Sequence, residues 1–512
     1  MRKIVTLSAI AIFATAIYAD DNNATVNAAT SAADTNTTAS AATPAMTSTQ
    51  AQIDALKAQI EQLQKTQDEK IAKLEKKTKH NAKKISHVNM LANNDNLKFS
   101  ADLRTAYDYI SYKNAEGSTT SNGIFSNRLW LKMAYAPTQH LAFYGTIAYN
   151  KMYGQSTAPS QGFNYYDWVV NETVNSSDEL RIKEAYWLYK NDTFLGMDIP
   201  WTASMGRRPS TDGLLVNYRE DQKAKSAIGH NINMEFDGAS FNYVLENVTG
   251  VPGMSLKFCL GRGMSNVKAR YNGMTQNPDG TYTLSYSNDY VKVDNFDNTD
   301  LVGVLFNPYD DGQYSLHTVW FRAYNLPGMV ATSTAGTYEF QQTGDESGGA
   351  ASFVADGIGD GISDMLDDTV FFASFAYSRT HPESSMLGSS KQETGTSVYV
   401  GLNWPCQLID DARVGIEYNH GSEYWRSFTY GEDTLAGSKL AVRGDAYEIW
   451  FNKDLIGKKL TAQIRYTYMD YKYTGSDGFF GDAGAPVKIS STTTPYATDV
   501  AQDIRVYVRY RY

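Results

Sequence analysis

The sequence is poor in several features that would place it in a common protein class. After its first 20 residues it has no apolar run approaching the roughly 18 residues that a membrane helix needs. Its two cysteines are too few for a disulfide scaffold or a cysteine-based zinc site. The formal net charge of −10 argues against a nucleic-acid partner. Present instead are 36 tyrosines, 21 phenylalanines and 39 glycines, a composition that favours many short strands and turns.

Recognisable catalytic patterns are missing as well. The sequence contains no G-x-S-x-G, H-E-x-x-H or phosphate-loop motif. Histidines beyond residue 96 stand singly, which favours structural roles over pairing with a nucleophile or a carboxylate. These histidines are His140, His230, His317, His381 and His420. The sequence therefore predicts no enzyme, no catalytic residue, no metal site and no cofactor.

The N-terminus predicts export from the cytoplasm. Arg2 and Lys3 precede an apolar stretch, and Ala19 offers a small residue for cleavage. This pattern is typical of a secretory signal peptide, which we place at 1–19. The segment 20–49 is almost entirely Ala, Thr, Asn, Ser and Asp, and it cannot bury enough apolar surface to offset its chain entropy. We therefore expect 20–49 to be a disordered linker.

Residues 50–91 carry a helical period. Apolar side chains recur at spacings of three and four, and the seven-residue register passes through two polar core positions, Gln67 and Asn81. The apolar seam positions are Ile53, Leu56, Ile60, Leu63, Leu74 and Val88. Such a seam predicts a periplasmic coiled coil with polar layers, which we expect to self-associate as a trimer. A single solvated helix is the alternative, because lysines also lie on the seam; such a lysine-rich arm could contact peptidoglycan.

The last residues of the chain alternate between two kinds of side chain. One set is Ile504, Val506, Val508, Tyr510 and Tyr512, and the other is Arg505, Tyr507, Arg509 and Arg511. Successive side chains of a strand point to opposite faces, so one face is apolar or aromatic and the other carries the arginines. The same alternation recurs upstream, for example over 97–104, 128–135 and 460–468. Segments of about ten residues with this pattern are typical of a transmembrane barrel.

The connections between these segments are of two kinds. Tight turns are predicted at 136–138, 237–238 and 456–457, and long polar loops at 153–178, 209–225, 420–442 and 474–501. Sixteen strands are clear over 96–512. With that count, 262–300 and 325–367 become long loops on the rim where the other connections should be short turns. A strand added in each, near 281–293 and 337–341, raises the count to eighteen. We therefore expect an all-β antiparallel transmembrane barrel of about 16–18 strands, preceded by a coiled-coil helix and enclosing a water-filled lumen.

Several stretches resemble a known family. The segments LKFSADLRTAYDYISY, NRLWLKMAYAP, GRRPSTDG and EYNHGSEYW are similar to an uncharacterised porin-like family of bacterial outer-membrane β-barrels, here with an N-terminal periplasmic coiled coil. The resemblance covers nearly all of residues 85–512. It implies a barrel in the outer membrane, and it carries no established substrate or catalytic residue. The aromatic end of the chain, Tyr512, resembles the assembly signal of such barrels, most of which end in Phe.

Charged residues on the inward faces supply the candidate functional site. Residues 1–95 hold 11 basic and 9 acidic side chains of the 46 and 56 in the chain, so the barrel segment has a formal charge of −12. Its inward faces nevertheless collect arginine, which pairs bidentately with carboxylate or phosphate, and walls of charge select ions by sign. The lumen or constriction candidates are Lys98, Arg104, Arg128, Lys132, Arg207, Arg208, Glu235, Arg413, Glu417, Arg465, Arg505 and Arg509. Alternatively, these charges neutralise one another across the wall, and Arg207 and Arg208 hold a turn.

Three functions fit this sequence. The expected one is an outer-membrane porin, a passive channel for small hydrophilic solutes or ions, surrounded by outer-membrane lipid and lipopolysaccharide. The alternatives are a structural protein that tethers the outer membrane to the cell wall and a surface adhesin or receptor that uses the long loops. An open lumen narrowed by charged residues would favour the channel, whereas a filled lumen would favour the alternatives.

Overall fold

The computed structural model describes most of the chain from Leu97 onward. The described ranges are 97–153, 180–208, 213–225, 227–265, 267–270, 273–285, 289–292, 297–334, 337–359, 361–429, 435–477 and 484–512. The predicted signal peptide, linker and coiled coil lie outside the described residues, so these three segments stay predictions.

Strands account for nearly all of the regular structure. They are β1 (Lys98–Asn114), β2 (Thr119–Tyr135), β3 (Leu141–Met152), β4 (Leu180–Asn191), β5 (Trp201–Arg208), β6 (Phe236–Val244), β7 (Ser255–Met264), β8 (Val267–Arg270), β9 (Gly273–Gln276), β10 (Tyr282–Ser285), β11 (Asp289–Lys292), β12 (Thr299–Asp310), β13 (Tyr314–Ala331), β14 (Tyr338–Asp356), β15 (Val370–Pro382), β16 (Thr394–Pro405), β17 (Ala412–Gly421), β18 (Gly444–Ile456), β19 (Leu460–Tyr471) and β20 (Thr498–Arg511). Two short helices, α1 (Glu246–Thr249) and α2 (Asp364–Asp367), complete the set. Among the described residues, no helix is long and apolar enough to cross a membrane.

Sixteen of these strands form one closed antiparallel barrel. They run in the order β1 to β7 and then β12 to β20, and β20 pairs with β1 to close the ring. The remaining four form two separate two-stranded sheets, β8 with β11 and β9 with β10. The all-β barrel prediction is confirmed at its lower strand count. The count of eighteen is wrong, because the strands near 281–293 lie outside the barrel ladder and 337–341 overlaps the start of β14, which makes 325–367 mostly strand.

The alternation of side chains separates an apolar outer face from a polar inner one. On β20, Ile504, Val506 and Val508 are 43–44% exposed, whereas Arg505 and Arg509 are at most 1% exposed. Large apolar side chains exposed around a closed barrel are what a lipid-facing surface requires. The inner face holds most of the buried charges, so polar side chains rather than a continuous apolar core fill much of the barrel.

The two rims of the barrel differ in the length of their connections. The rim that holds the N-terminus of β1 and the C-terminus of β20 has connections at 136–140, 192–200, 245–254, 311–313, 357–369, 406–411 and 457–459. The opposite rim has connections at 115–118, 153–179, 209–235, 265–298, 332–337, 383–393, 422–443 and 472–497. We call these the short-turn rim and the long-loop rim. The excursion between β7 and β12 belongs to the long-loop rim, which removes the apparent parity problem of a sixteen-stranded count.

One predicted turn is wrong. Asp237 and Gly238 lie inside β6, not between two strands. A Cβ atom on Gly238 would sit 1.9 Å from the backbone oxygen of Leu260 on β7, so glycine is needed there for the close approach of two strands. The two cysteines are also apart from each other in the fold: Cys259 lies on β7, Cys406 follows β16, and neither is in a disulfide.

Candidate functional site

Two connections of the long-loop rim fold into the barrel. The first inward loop, described over 213–225 and 227–235, joins β5 to β6, and the second inward loop, described over 422–429 and 435–443, joins β17 to β18. Arg219 of the first inward loop donates to Glu448 of β18 over 3.0 Å. Since β5 and β18 lie on opposite sides of the sixteen-stranded ring, the first inward loop has to cross the lumen to make this contact.

The second inward loop crosses in another direction. The backbone N–H of Arg426 donates to Ser378 Oγ of β15 over 3.0 Å, and its guanidinium lies 3.3 Å from a carboxylate oxygen of Glu346 on β14. Phe428 packs against Phe321 of β13 with ring centroids 5.2 Å apart. The loop therefore leaves β17 and reaches the wall formed by β13 to β15. It also meets the first inward loop, where the backbone N–H of Phe428 donates to the carbonyl of Asn231 over 3.0 Å.

Apolar side chains pack where the inward loops meet the wall. Leu215 of the first inward loop and Trp425 and Leu440 of the second are fully buried, in a cluster with Phe372 and Tyr399 of β15 and β16. Other clusters join loop residues to β13 and to β18–β20. We call this part of the interior, lined by β13 to β20, the packed side of the lumen.

His230 fixes the first inward loop to the packed side. Its Nδ1 lies 2.8 Å from Ser374 Oγ on β15 and its Nε2 2.8 Å from Ser397 Oγ on β16. Burial lowers the pKa of His230 to about 3, so the imidazole is neutral near pH 7. A neutral ring can donate from one nitrogen and accept at the other, which fits two hydroxyl partners. The sequence expectation of a structural histidine agrees with this geometry.

A buried ion network holds both inward loops to β17–β19. Glu448 accepts from Arg219 at 3.0 Å and from Lys439 at 2.5 Å, and Arg465 lies 3.7 Å away. Lys439 also contacts Glu417, which accepts a 2.9 Å hydrogen bond from the Trp450 indole and a 2.5 Å hydrogen bond from the Tyr399 hydroxyl. Two of the sequence candidates, Glu417 and Arg465, thus belong to a network that clamps loop to wall.

A second network surrounds Asp102 on β1. Arg509 of β20 donates to both of its carboxylate oxygens, at 2.8 and 2.5 Å, and Arg128 of β2 lies 3.6 Å away. Glu220 of the first inward loop lies 3.4 Å from Arg509 and accepts a 3.0 Å hydrogen bond from the Tyr507 hydroxyl. Arg128 and Arg509 are therefore brought together in one charge cluster at the seam where the barrel closes.

The sequence candidates on β1, β17 and β20 that remain have contacts of several kinds. Arg505 pairs with Asp108 of β1. Arg104 is 1% exposed, with its guanidinium carbon 5.3 Å from the Tyr507 ring centroid. Lys98 is exposed at the start of β1 on the short-turn rim. On the same rim Arg413 donates over 2.6 Å to Asn403 Oδ1 and over 2.7 Å to the Asp368 carbonyl.

The adjacent arginines at the end of β5 have different partners. Arg207 lies 3.4 Å from Asp237 of β6, and the Arg208 guanidinium carbon lies 4.1 Å from the Tyr186 ring centroid. Arg207 and Asp237 lie opposite each other in the β5–β6 ladder, so this ion pair joins two strands and does not hold a turn. Whether any of the twelve candidates sets ion selectivity stays a prediction.

The β2–β4 wall differs from the packed side because lysines on it reach water. The side chain of Lys132 on β2 is 39% exposed, and that of Lys225 in the first inward loop is 25% exposed. Lys225 lies 2.5 Å from Glu184 of β4, and the neighbouring Lys183 contacts Glu235 at the end of the same loop. We call this wall, together with Lys225, the lysine side of the lumen.

A β-bulge places Lys183 and Glu184 on the same side of β4. The β3–β4 pairing shifts register between Thr146 and Ile147, so that Thr146 faces Glu184, Ile147 faces Ile182, and Lys183 is the extra residue. Both Lys183 and Glu184 are buried, at 1% and 7% exposure. A bulge re-aims side chains locally. Sequence reasoning missed Lys183 and Glu184 because regular alternation does not place two neighbours on the same side, and it missed Lys225 because that residue lies in a predicted polar loop.

Comparison with known proteins places the chain in one family and gives several likenesses in fold. The model of a family described as "Protein of unknown function (DUF3373)" matches residues 118–512. No curated protein matches the chain.

Three solved structures illustrate the likeness in fold. The in-vitro folded trimer form of OmpT, an outer membrane protein of Vibrio cholerae, is 12% identical with a TM-score of 0.43 and covers 81% of this chain and 99% of its own. OprB of Pseudomonas putida is 10% identical with a TM-score of 0.45, covering 83% and 96%. The outer membrane channel DcaP of Acinetobacter baumannii is 13% identical with a TM-score of 0.40, covering 81% and 97%.

Proposed function

Since this chain belongs to the DUF3373 family, whose description names no activity, we propose from the geometry that it is an outer-membrane channel for small hydrophilic solutes or ions. One observation carries the proposal. The outer surface of the barrel is apolar, as a surface that faces lipid would be, whereas the lumen has a charged wall that water reaches. Lys132 and Lys225 expose 39% and 25% of their side chains on the lysine side, whereas Glu417, Glu448 and Arg465 on the packed side are at most 6% exposed. A passage would follow the lysine side, narrowed by the first inward loop.

The sign of the exposed charge determines the expected ion preference. The barrel segment has a formal charge of −12, which alone would favour cations. Fixed charges a few ångströms from a passing ion outweigh distant ones, since the Debye length is about 8 Å at physiological ionic strength. Lysines that line the passage should therefore give a preference for anions.

Planar-bilayer recording of the purified full-length protein tests this proposal. We expect stable, ohmic pores whose reversal potential in a salt gradient reports anion preference. Lys132→Glu should move the reversal potential toward cations. Lys472→Glu is the matched control, because Lys472 is 48% exposed and follows β19 on the long-loop rim, where it pairs with Asp470. A correctly folded barrel that never conducts would contradict the channel proposal.

The inward loops favour a second candidate function. Loops fixed inside the lumen would obstruct a wide pore. They would not impair a surface receptor, an adhesin or a wall tether. The buried networks around Glu448 and Asp102 fix the loops in this way on the packed side. Two results together would favour this function over the channel. The assembled barrel would not conduct, and cells that lack the protein would lose cell-envelope integrity or surface attachment.

The residues before the barrel enter the proposal as an export and assembly segment. Cleavage after 1–19, a periplasmic coiled coil over 50–91 and trimerisation through that coil follow from the sequence pattern alone. Chemical cross-linking in isolated outer membranes tests the last of these. Deleting 50–91 should abolish a trimer band if the coil assembles the protein; an unchanged band would assign assembly to the barrel or leave the coil a wall-binding arm.

A further inference from the structure

Four cations surround one buried indole on the lysine side. The Arg128 guanidinium carbon lies 3.7 Å from the centroid of the Trp130 ring, and the Nζ atoms of Lys183, Lys132 and Lys225 lie at 5.0, 5.4 and 5.6 Å. Cation–π contacts occur roughly once per 70–80 residues in proteins. A buried ring packs well without any cation, so packing alone does not require four on Trp130.

Three different structural devices bring these cations together. Arg128 and Lys132 are on β2 at the alternate positions that share the inner face with Trp130. Lys183 reaches the ring from β4 because of the β-bulge, and Lys225 reaches it from the first inward loop. A single strand would have supplied only the first pair. The convergence therefore depends on the folded position of the loop.

Carboxylates contact the four cations, and one of these carboxylates is shared with a fifth. Glu184 lies 2.5 Å from Lys225, and Glu235 contacts Lys183. Asp102 lies 3.6 Å from Arg128 and 3.9 Å from Lys132, but it makes its shorter contacts with Arg509. The carboxylate nearest the β2 cations is thus shared with a further cation. Like charges held this close repel most strongly where water is partly excluded, and a bound anion would relieve that repulsion.

We propose that the cluster of Arg128, Lys132, Lys183 and Lys225 around Trp130 is a binding site for small oxyanions carrying a carboxylate or phosphate group. The exposed parts of Lys132 and Lys225 form its opening toward the lumen, and Arg128 and Lys183 form its floor. Ammonium and guanidinium groups are the usual ligands of both anion types. Trp130 is 1% exposed, so the ring positions the cations and does not stack on the ligand. The proposal rests on the proposed channel in one respect: the anion would be a transported solute held at this point.

Calorimetric titration of the detergent-solubilised full-length protein tests the site directly. Phosphate and succinate are titrated at constant ionic strength, with chloride as the reference anion. We expect saturable binding of at least one oxyanion to the wild type, and binding at least tenfold weaker in Lys132→Gln and in Lys225→Gln. Saturation by phosphate alone or by succinate alone identifies which group the site prefers. Lys472→Gln, at an exposed ion pair on the long-loop rim, is the matched control and should bind as the wild type does.

The outcomes separate this site from the channel. Each variant must first show the wild-type shift in electrophoretic mobility on heating, which reports an assembled barrel. No saturable oxyanion binding to the wild type, or equal binding by the wild type and both folded lysine variants, overturns the site even if the protein conducts. Oxyanion binding that depends on Lys132 and Lys225 in a protein that never conducts supports the site and removes the channel.

Discussion

The packed side and the lysine side of the lumen use the same kinds of side chain for different purposes. On the packed side, Lys439 of an inward loop contacts Glu417 and Glu448 of the wall with only 3% of its side chain exposed. On the lysine side, Lys225 of the other inward loop contacts Glu184 with 25% exposed. The residue types and the loop-to-wall geometry match, and the difference is access to water. A loop lysine therefore acts as a clamp where it is covered and can meet a ligand where it is not.

The energetic consequence of that difference is large. Removing one partner of a buried ion pair leaves the other charge without compensation and costs about 3–5 kcal/mol, whereas exposed pairs contribute about 0–1 kcal/mol. The two sides should therefore respond differently to equivalent substitutions. Substitutions on the packed side should lower the free energy of unfolding, and substitutions on the lysine side should change ion preference or ligand binding.

The largest effect is expected at Glu448. Glu448→Ala leaves Arg219, Lys439 and Arg465 buried beside a missing carboxylate, so the free energy of unfolding should fall by about 3–5 kcal/mol. Denaturant unfolding of the detergent-solubilised barrel measures this loss. Glu116→Ala, at an exposed position between β1 and β2, is the control and should change little. Equal effects of the two substitutions would contradict the idea of a clamped loop.

A pH-dependent effect is expected at His230. Burial lowers its pKa to about 3, below the value of about 6.5 for the unfolded chain, so the unfolded state binds the proton first as the pH falls. Stability is therefore fully present above about pH 6.5 and decreases as the pH falls toward 3, by about 2 kcal/mol between pH 7 and pH 5. In His230→Asn this part of the pH dependence should vanish. Parallel pH profiles for the two proteins would show that His230 does not anchor the loop.

A packing effect is expected at Gly401. An added Cβ would lie 2.1 Å from the Phe372 ring, which is 1% exposed and packed against Tyr399. Gly401→Ala should therefore reduce the free energy of unfolding by about 1–3 kcal/mol. Gly303→Ala is the matched control, because the nearest atom to its added Cβ is at 3.4 Å. Equal effects of the two substitutions would mean that Phe372 can move to admit the added methyl group, which contradicts tight packing between β15 and β16.

The wall of the barrel was largely predictable from the sequence because strands impose a strict period of two. Ile504 and Val508 on one face of β20, and Arg505 and Arg509 on the other, can be read directly from adjacent letters. The tight connections were less reliable. Gly238 resembles a turn residue, and only its approach to Leu260 on the neighbouring strand explains why it lies within β6.

The interior was not predictable in the same way. Arg219 and Glu448 are 229 positions apart, and nothing local to either residue signals their contact. The first inward loop has the polar composition of an exposed loop, so its place in the lumen depends on partners from β4, β15 and β18. The bulge at Lys183 likewise depends on how β4 pairs with β3. The charged inward faces were identified, but whether those charges meet water or each other is a property of the assembled barrel.

The smallest effect on stability is expected at Lys225. Lys225→Gln removes an ion pair in which water reaches the lysine while Glu184 stays buried, so the free energy of unfolding should fall by about 1 kcal/mol, the upper end of the range for exposed pairs. Lys439→Gln is the matched change on the packed side, because it also removes an inward-loop lysine from a wall glutamate, and it should be several-fold more destabilising. Denaturant unfolding of both variants under one set of conditions measures the contrast. If Lys225→Gln were as destabilising as Lys439→Gln, Lys225 would be a second clamp, because a pair with one hydrated partner contributes less than a fully buried pair. The difference between the two sides of the lumen would then rest on Lys132, which belongs to the wall and not to a loop.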